Sequence, residues 1–146
     1  MQILIIYINS LLYIKEQHIA SSKRRYSMNN STIQSHAAGL YKEYAQDLVI
    51  GNHFVSDKRL QEFVADLDRD GLLLETFKWD EWYNNSYMVD RPEYIADATL
   101  YECQLLVTAM SRLDRFSPGV LSNMRQQGVL NAIVERFRAL SFQPAM

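Results

Sequence analysis

Apolar residues recur every three or four positions along most of the chain from Ser31 onward, which is the spacing of amphipathic helices. A first predicted helix ends near Gly51, a typical stop signal. The next begins after Ser56, a typical N-cap residue, and alternates its apolar residues with charged ones. A last helix closes the chain. The apolar faces of these three helices are Tyr41, Tyr44, Ala45, Leu48 and Val49; Leu60, Phe63, Val64 and Leu67; and Leu130, Ile133, Val134, Phe137 and Leu140.

The longest helical pattern covers residues 92–115, with Asp90 and Pro92 as its predicted start. Its apolar residues form two stripes, and burial on two sides predicts the central helix of the fold. One stripe holds Ile95, Thr99, Cys103, Leu106, Met110 and Leu113, and the other holds Tyr94, Ala98, Tyr101, Leu105 and Ala109. We therefore predict a mostly helical, all-α bundle of about five helices, with at most a short strand pair at residues 72–77.

Residues 1–27 differ in composition from the rest of the chain. They open with an uncharged apolar run that is too short to span a bilayer as a helix. The basic stretch SSKRR follows this run, whereas a secretory signal places its positive charges first. We expect residues 1–27 to be an extension that adds little to the fold, residues 28–146 to form one domain, and the membrane to play no part.

Charge and cysteine content narrow the class of protein. The net charge is −2, but residues 57–102 carry twelve acids against five bases, and residues 103–146 carry five arginines against two acids. This asymmetry indicates either a partner surface or two solvated faces. The single cysteine, Cys103, has no internal partner for a disulfide, which is typical of a cytoplasmic protein.

The stretch DLDRDG at residues 66–71 matches the opening of a calcium-binding loop. Such a loop needs a Glu at its twelfth position, which is Phe77 here, and Glu75 lies two residues too early. The alternative is that Asp66 and Arg69 continue the polar face of the preceding helix and Gly71 ends it in a left-handed conformation. We predict a glycine C-cap at Gly71 and no metal site.

Two segments concentrate side chains that are suited to binding. FKWDEWYNNSY is rich in aromatic residues that either stack on a partner or plug the core. SRLDRFSPG carries arginines near a helix end, where they either receive an anion or serve the structure. The candidate binding residues are Trp79, Asp80, Glu81, Trp82, Arg112, Asp114 and Arg115.

Catalytic and cofactor motifs are absent from the sequence. It contains no phosphate-binding glycine loop, dinucleotide fingerprint or serine elbow, so we predict no cofactor and no catalytic residue. Two short helices, one capped by Ser117 and Pro118 and ending at Gly128, close the chain with several arginines, which leaves DNA binding as one alternative. The short turn at Gly128 and the acidic middle of the chain disfavour nucleic acid.

The C-terminal half, LLVTAMSRLDRFSPGVLSNMRQQGVLNAIVERFRAL, and the upstream GLLLETFKWDEW resemble a bacterial domain-of-unknown-function family, DUF6508, over roughly residues 56–141. The family pattern is an apolar helix, an Arg-x-x-Arg-Phe-x-x-Gly element, a helix, a glycine and a terminal amphipathic helix. The matching residues are Arg112, Arg115, Phe116, Gly119 and Gly128. Pro118 departs from it, because the family often has an acidic residue there. The resemblance implies a compact helical bacterial domain and no established activity.

The leading functional hypothesis is a small cytoplasmic interaction or regulatory protein that binds a macromolecular partner, a protein first of all. One alternative is a small enzyme acting on a nucleotide or another anionic small molecule, with Asp80, Glu81, Arg112 and Arg115 in one site. Another is a DNA-binding regulator that uses the two C-terminal helices. An open cleft containing the four charged residues would favour the enzyme, and an exposed aromatic patch would favour the interaction protein. Burial of both tryptophans against the central helix would favour a purely structural role for the aromatic segment. The sequence leaves the oligomeric state open.

Overall fold

The computed structural model describes residues 30–51 and 53–141, apart from the side chains of residues 30–34. These residues form seven α-helices and one 3₁₀ helix, and they contain no strand, so the all-α prediction is confirmed. The predicted extension, residues 1–27, lies outside the described residues. The helices are α1 (Asn30–Leu48), α2 (Asp57–Arg69), α3 (Trp79–Asn85), α4 (Tyr87–Asp90), the 3₁₀ helix (Pro92–Asp97), α5 (Leu100–Phe116), α6 (Val120–Gln126) and α7 (Val129–Ser141).

Helix α5 is the centre of the fold. Every residue from 103 to 111 is buried, as is Leu113, because helices α3, α6 and α7 all pack against α5. Helix α1 lies along α7 and extends the core on that side. A helix that is covered on all sides must be apolar around its circumference, which explains the two stripes in the sequence.

The start of α5 differs from the prediction. The helix begins at Leu100 and not at Pro92, because Thr99 and Glu102 form a capping box. The Thr99 hydroxyl accepts from the Glu102 backbone N–H at 3.1 Å, and a Glu102 carboxylate oxygen accepts from the Thr99 N–H at 2.8 Å. Residues 92–97 form the 3₁₀ helix instead, and Ala98 is extended. Residues before and after Ala98 therefore do not lie on one continuous helical face, as the two predicted stripes required.

Helix α2 ends at the DLDRDG stretch in the predicted glycine C-cap. Gly71 has a φ of 77°, and its N–H donates to the Asp68 carbonyl at 3.1 Å. The Leu72 N–H reaches back to the Leu67 carbonyl at 2.9 Å, and both leucine side chains are buried. This pair of bonds is the Schellman motif with its usual apolar contact, so the prediction for Gly71 is confirmed.

Gly71→Ala and Gly39→Ala should change stability in opposite directions. Alanine at Gly71 would be forced into the left-handed region, at a cost of about 1–2 kcal/mol. Gly39 lies inside α1 on the exposed side, where an added Cβ would meet no other atom within 4 Å, so alanine there should stabilise by about 0.5–1 kcal/mol. Urea unfolding of both variants measures the difference. A gain in stability for Gly71→Ala would contradict the C-cap assignment.

The stretch between α2 and α3 forms no strand pair at residues 72–77. Its backbone groups bind side chains of α5 instead of a neighbouring strand. The Leu74 N–H donates to the Thr108 hydroxyl at 2.9 Å, and Arg112 Nη2 donates to the carbonyls of Leu74 and Glu75 at 3.3 and 2.7 Å. Because buried backbone groups need partners, these bonds allow an irregular segment to lie against the core.

Within residues 30–51 and 53–141, no helix is both long enough and apolar enough to cross a membrane.

Candidate functional site

Both tryptophans of the predicted binding set belong to the core. Trp82 is 1% exposed and Trp79 is 8% exposed, on the helix α3 that packs against α5. The Trp79 ring lies against Phe77, with ring centroids 4.8 Å apart. The buried Trp79 indole N–H has no hydrogen-bond acceptor among the described residues. The indoles therefore plug the core, which is the packing alternative for this aromatic segment, and neither presents a face to solvent.

The two acids between the tryptophans lie nearer the surface. Asp80 is exposed, and Glu81 is half-buried. A Glu81 carboxylate oxygen accepts a 2.9 Å hydrogen bond from the Tyr101 hydroxyl. Burial, together with this bond and the negative charge of Glu81, raises the pKa of Tyr101. The bond joins α3 to the first turn of α5 at the surface.

Arg112 is a structural link between α5 and the segment before α3. Besides its bonds to the two carbonyls, its guanidinium lies 4.9 Å from the centroid of the Phe77 ring. Burial, with a smaller contribution from Arg115, lowers the pKa of Arg112. Through Phe77, Arg112 and Trp79 belong to one packed cluster.

Asp114 and Arg115 lie at the junction of α5 and α6. One Asp114 carboxylate oxygen accepts from the backbone N–H groups of Gly119 and Leu121 at 3.2 and 3.1 Å, and the other accepts from the Gln61 amide at 3.0 Å. Asp114 therefore caps α6, a role that the sequence interpretation gave to Ser117 and Pro118. Arg115 is exposed.

The seven predicted residues do not together line any one of three prominent clefts in the described part of the chain. Among these three clefts of residues 30–51 and 53–141, only one is lined by predicted residues, namely Asp114 and Arg115. Their cleft, of about 370 Å³, lies between α2, α5 and α6. The largest of the three, about 560 Å³, runs between Ile50, the 3₁₀ helix and α7. The arrangement that would favour the enzyme alternative, with Asp80, Glu81, Arg112 and Arg115 in one open cleft, is not found among these three.

The remaining cleft, which we call the tyrosine cleft, combines exposed aromatic rings with carboxylates. Its rings belong to Tyr87 and Tyr94, which are 52% and 48% exposed and meet edge to face with centroids 5.9 Å apart. Asp97 is exposed, and Glu102 is held by its capping box with Thr99. The volume is about 480 Å³, and the lining residues are Tyr87, Met88, Tyr94, Asp97, Ala98 and Glu102.

The sequence interpretation missed the tyrosine cleft because it treated residues 92–115 as one continuous helix. It placed Tyr94 and Tyr101 on a buried stripe, and this was wrong, since Tyr94 is 48% and Tyr101 is 42% exposed. The break at Ala98 rotates the 3₁₀ helix out of phase with α5. The signal that could have revealed the break is the spacing of Thr99 and Glu102, which is the capping-box pattern of a helix start.

Cys103 and Asp66, two other groups that could carry chemistry, are buried or have partners within the protein. The Cys103 thiol is fully buried, and burial raises its pKa to about 12, so it is protonated and shielded at neutral pH. The carboxylate of Asp66, from the DLDRDG stretch, accepts from the Tyr44 hydroxyl and pairs with Arg69. In residues 30–51 and 53–141, no group of three or more His, Cys, Asp or Glu side chains is placed to hold a metal ion.

These features define a compact all-α protein. The sequence model of DUF6508, described as a family of unknown function, matches residues 27–143, and the chain belongs to this family. No curated protein and no solved structure matches the chain.

Proposed function

We propose that this protein is a bacterial, cytoplasmic interaction module that binds a macromolecular partner through the tyrosine cleft. The observation that carries the proposal is the exposed pair of Tyr87 and Tyr94 beside two carboxylates. Tyrosine contributes a large, rigid contact area at low cost in side-chain entropy, and it is enriched where proteins bind one another. The family resemblance supports the bacterial assignment, and the single cysteine supports the cytoplasmic one.

The electrostatics around the cleft favour a basic partner. Residues 80–102 carry six acids, namely Asp80, Glu81, Asp90, Glu93, Asp97 and Glu102, against the single base Arg91. A concentration of one charge on a surface steers an oppositely charged partner and repels a similarly charged one. Nucleic acid is therefore disfavoured at this face, because its phosphates would meet carboxylates.

The buried contacts of two arginines also favour this proposal over the alternatives. Arg125 is 7% exposed and donates to the backbone carbonyls of Asp47 and His53 at 2.6 and 3.3 Å, so it fastens the loop after α1 and does not face outward from the C-terminal helices. Arg112 binds backbone carbonyls in a similar way. Arg125 is therefore not directed towards DNA at a face of the C-terminal helices, and Arg112 is already bound to backbone carbonyls at the proposed substrate site.

Site-specific photo-cross-linking in host cells tests the proposal. Benzoylphenylalanine would replace either Tyr87 in the tyrosine cleft or Phe54, which is 88% exposed and does not line this cleft. Both changes exchange one exposed aromatic side chain for another, so the two variants are matched. We expect a discrete adduct with one partner from position 87 and none from position 54, as measured by gel shift and mass spectrometry.

The other outcomes contradict the proposal in distinct ways. Adducts from position 54 without adducts from position 87 would place the partner on another surface. Equal, heterogeneous adducts from both positions would indicate unspecific capture. The absence of adducts at both positions, with each variant folded and expressed, would contradict an interaction role.

A further inference from the structure

We infer that the tyrosine cleft binds the guanidinium group of an arginine in a basic peptide segment of the partner. This inference rests on the proposed function and specifies the chemistry of its partner. Three observations support it: the geometry of the two tyrosine rings, the negative charge of the residues that line the cleft, and the contacts between tyrosine rings and arginines elsewhere in the chain.

The rings of the cleft can receive a cation. Tyr87 and Tyr94 meet edge to face, both rings line the cleft, and both stay about half exposed, so ring surface remains accessible to a ligand. The face of an aromatic ring carries partial negative charge and attracts a cation within about 6 Å of the centroid. A volume of about 480 Å³ is large enough for the end of one long side chain together with part of the peptide that carries it.

The carboxylates of the cleft supply the opposite charge. Asp97 and Glu102 both line it, and no basic residue does, although the Arg136 Nε donates to the carbonyl of the lining residue Ala98 at 2.7 Å. Glu102 is fixed by its hydrogen bond to the Thr99 N–H at 2.8 Å, so its position is set before any partner arrives. Such preorganisation lowers the entropic cost of binding. The cleft therefore holds one carboxylate in a fixed position, in the same lining as the two rings.

Elsewhere in the chain, tyrosine rings contact arginine guanidinium groups. Arg59 lies 4.2 Å from the centroid of the Tyr44 ring while its Nε donates to an Asp47 carboxylate oxygen at 3.0 Å. Arg138 lies 4.7 Å from the centroid of the Tyr41 ring. In both places the guanidinium group lies over a tyrosine ring. The tyrosine cleft repeats the ring and the carboxylate, but none of its lining residues is an arginine.

Arginine fits this site better than lysine does. Its planar guanidinium stacks on a ring and offers a fork of N–H donors to a carboxylate at the same time, whereas the lysine ammonium is a strongly hydrated point charge. We therefore expect the site to bind arginine more tightly than lysine, although the two side chains carry the same charge.

Binding of synthetic peptides to the full-length protein tests the inference. The probes are a fluorescent peptide of repeated Arg-Gly-Ser units and matched peptides in which lysine, citrulline or glutamate replaces arginine. We expect the arginine peptide to bind at low salt, the lysine peptide to bind several-fold more weakly, and the citrulline and glutamate peptides not to bind. NMR shift changes should map to Tyr87, Tyr94, Asp97 and Glu102.

Variants of the protein locate the site. Tyr94→Leu and Asp97→Asn should each weaken the arginine peptide by about threefold to tenfold. The matched controls are Tyr83→Leu and Asp68→Asn, which change an exposed tyrosine and an exposed aspartate that do not line the cleft. Both controls should bind as the unchanged protein does. Circular dichroism checks that every variant is folded.

Three results would overturn the inference. The first is equal affinity for the arginine and lysine peptides together with no effect of Tyr94→Leu. The second is binding of the uncharged citrulline peptide. The third is that no peptide binds. A partner cross-linked at position 87 that binds through a segment without arginine would also refute it, while the interaction role would stand. The two proposals can therefore fail separately.

Discussion

Trp82→Ala should destabilise the protein by about 3–5 kcal/mol, the usual cost of truncating a buried tryptophan to alanine. Trp82 is 1% exposed and lies where α3 packs against α5, so alanine would leave a cavity beside the central helix. Since domains of this kind are stable by only about 5–15 kcal/mol, the variant should unfold at a much lower urea concentration. Urea titration followed by far-UV circular dichroism measures the effect.

The control is the neighbouring residue on the same helix. Tyr83 is 57% exposed, and Tyr83→Ala should change the free energy of unfolding by no more than about 0.5 kcal/mol. Similar losses for the two variants would mean that α3 does not bury one face against α5. A loss confined to Trp82 would instead separate the packing role of this aromatic segment from any role of its exposed tyrosine.

The buried faces of α2 and α7 could be predicted from the sequence, whereas Val49 of the first predicted face is 45% exposed. In α2 the buried residues are Leu60, Phe63, Val64 and Leu67, the four predicted from their spacing. The predicted face of α7 is also buried throughout. Ser56 caps α2 as expected, and its hydroxyl accepts from the Arg59 N–H at 3.1 Å. Periodicity and local capping depend on neighbouring residues alone, which is why they are readable in one sequence.

What could not be predicted depends on contacts between distant residues. The irregular stretch at residues 72–77 looked suited to a short strand, and the side chains that satisfy its backbone lie on α5, more than thirty positions away in the sequence. The sequence also could not show that Asp114 has internal partners, because one of them, Gln61, lies far away in the sequence on α2. A pattern within one segment carries no signal of such pairings.

The candidate site was predicted only in part, because composition does not reveal which aromatic residues are buried. The sequence interpretation chose the two tryptophans and placed Tyr94 inside the core, whereas Trp82 is buried and Tyr94 is half exposed. Large indoles gain most from burial, and a tyrosine can keep its hydroxyl in water. The acidic character of this region was visible in the sequence, and it remains the basis of the proposed partner surface.

Arg112→Met should destabilise the protein by about 2–3 kcal/mol, because it removes charge-assisted hydrogen bonds and leaves a partly buried carbonyl without them. Arg112 binds the carbonyls of Leu74 and Glu75 and lies over the Phe77 ring, so it holds the segment before α3 against α5. Methionine keeps an unbranched apolar side chain against the ring, so the measured loss reports mainly on the guanidinium. Urea unfolding gives the difference.

Arg115→Met is the matched control, three residues further along the same helix. Arg115 is exposed, and its replacement should change the free energy of unfolding by no more than about 0.5 kcal/mol. Arg112→Lys should recover only part of the stability, since an ammonium lacks the planar fork of donors that reaches both carbonyls. Equal losses for Arg112→Met and Arg115→Met would refute the structural role of Arg112. A large loss at position 112 alone would show that two arginines of one sequence motif have separate tasks, with Arg112 serving the fold and Arg115 facing solvent.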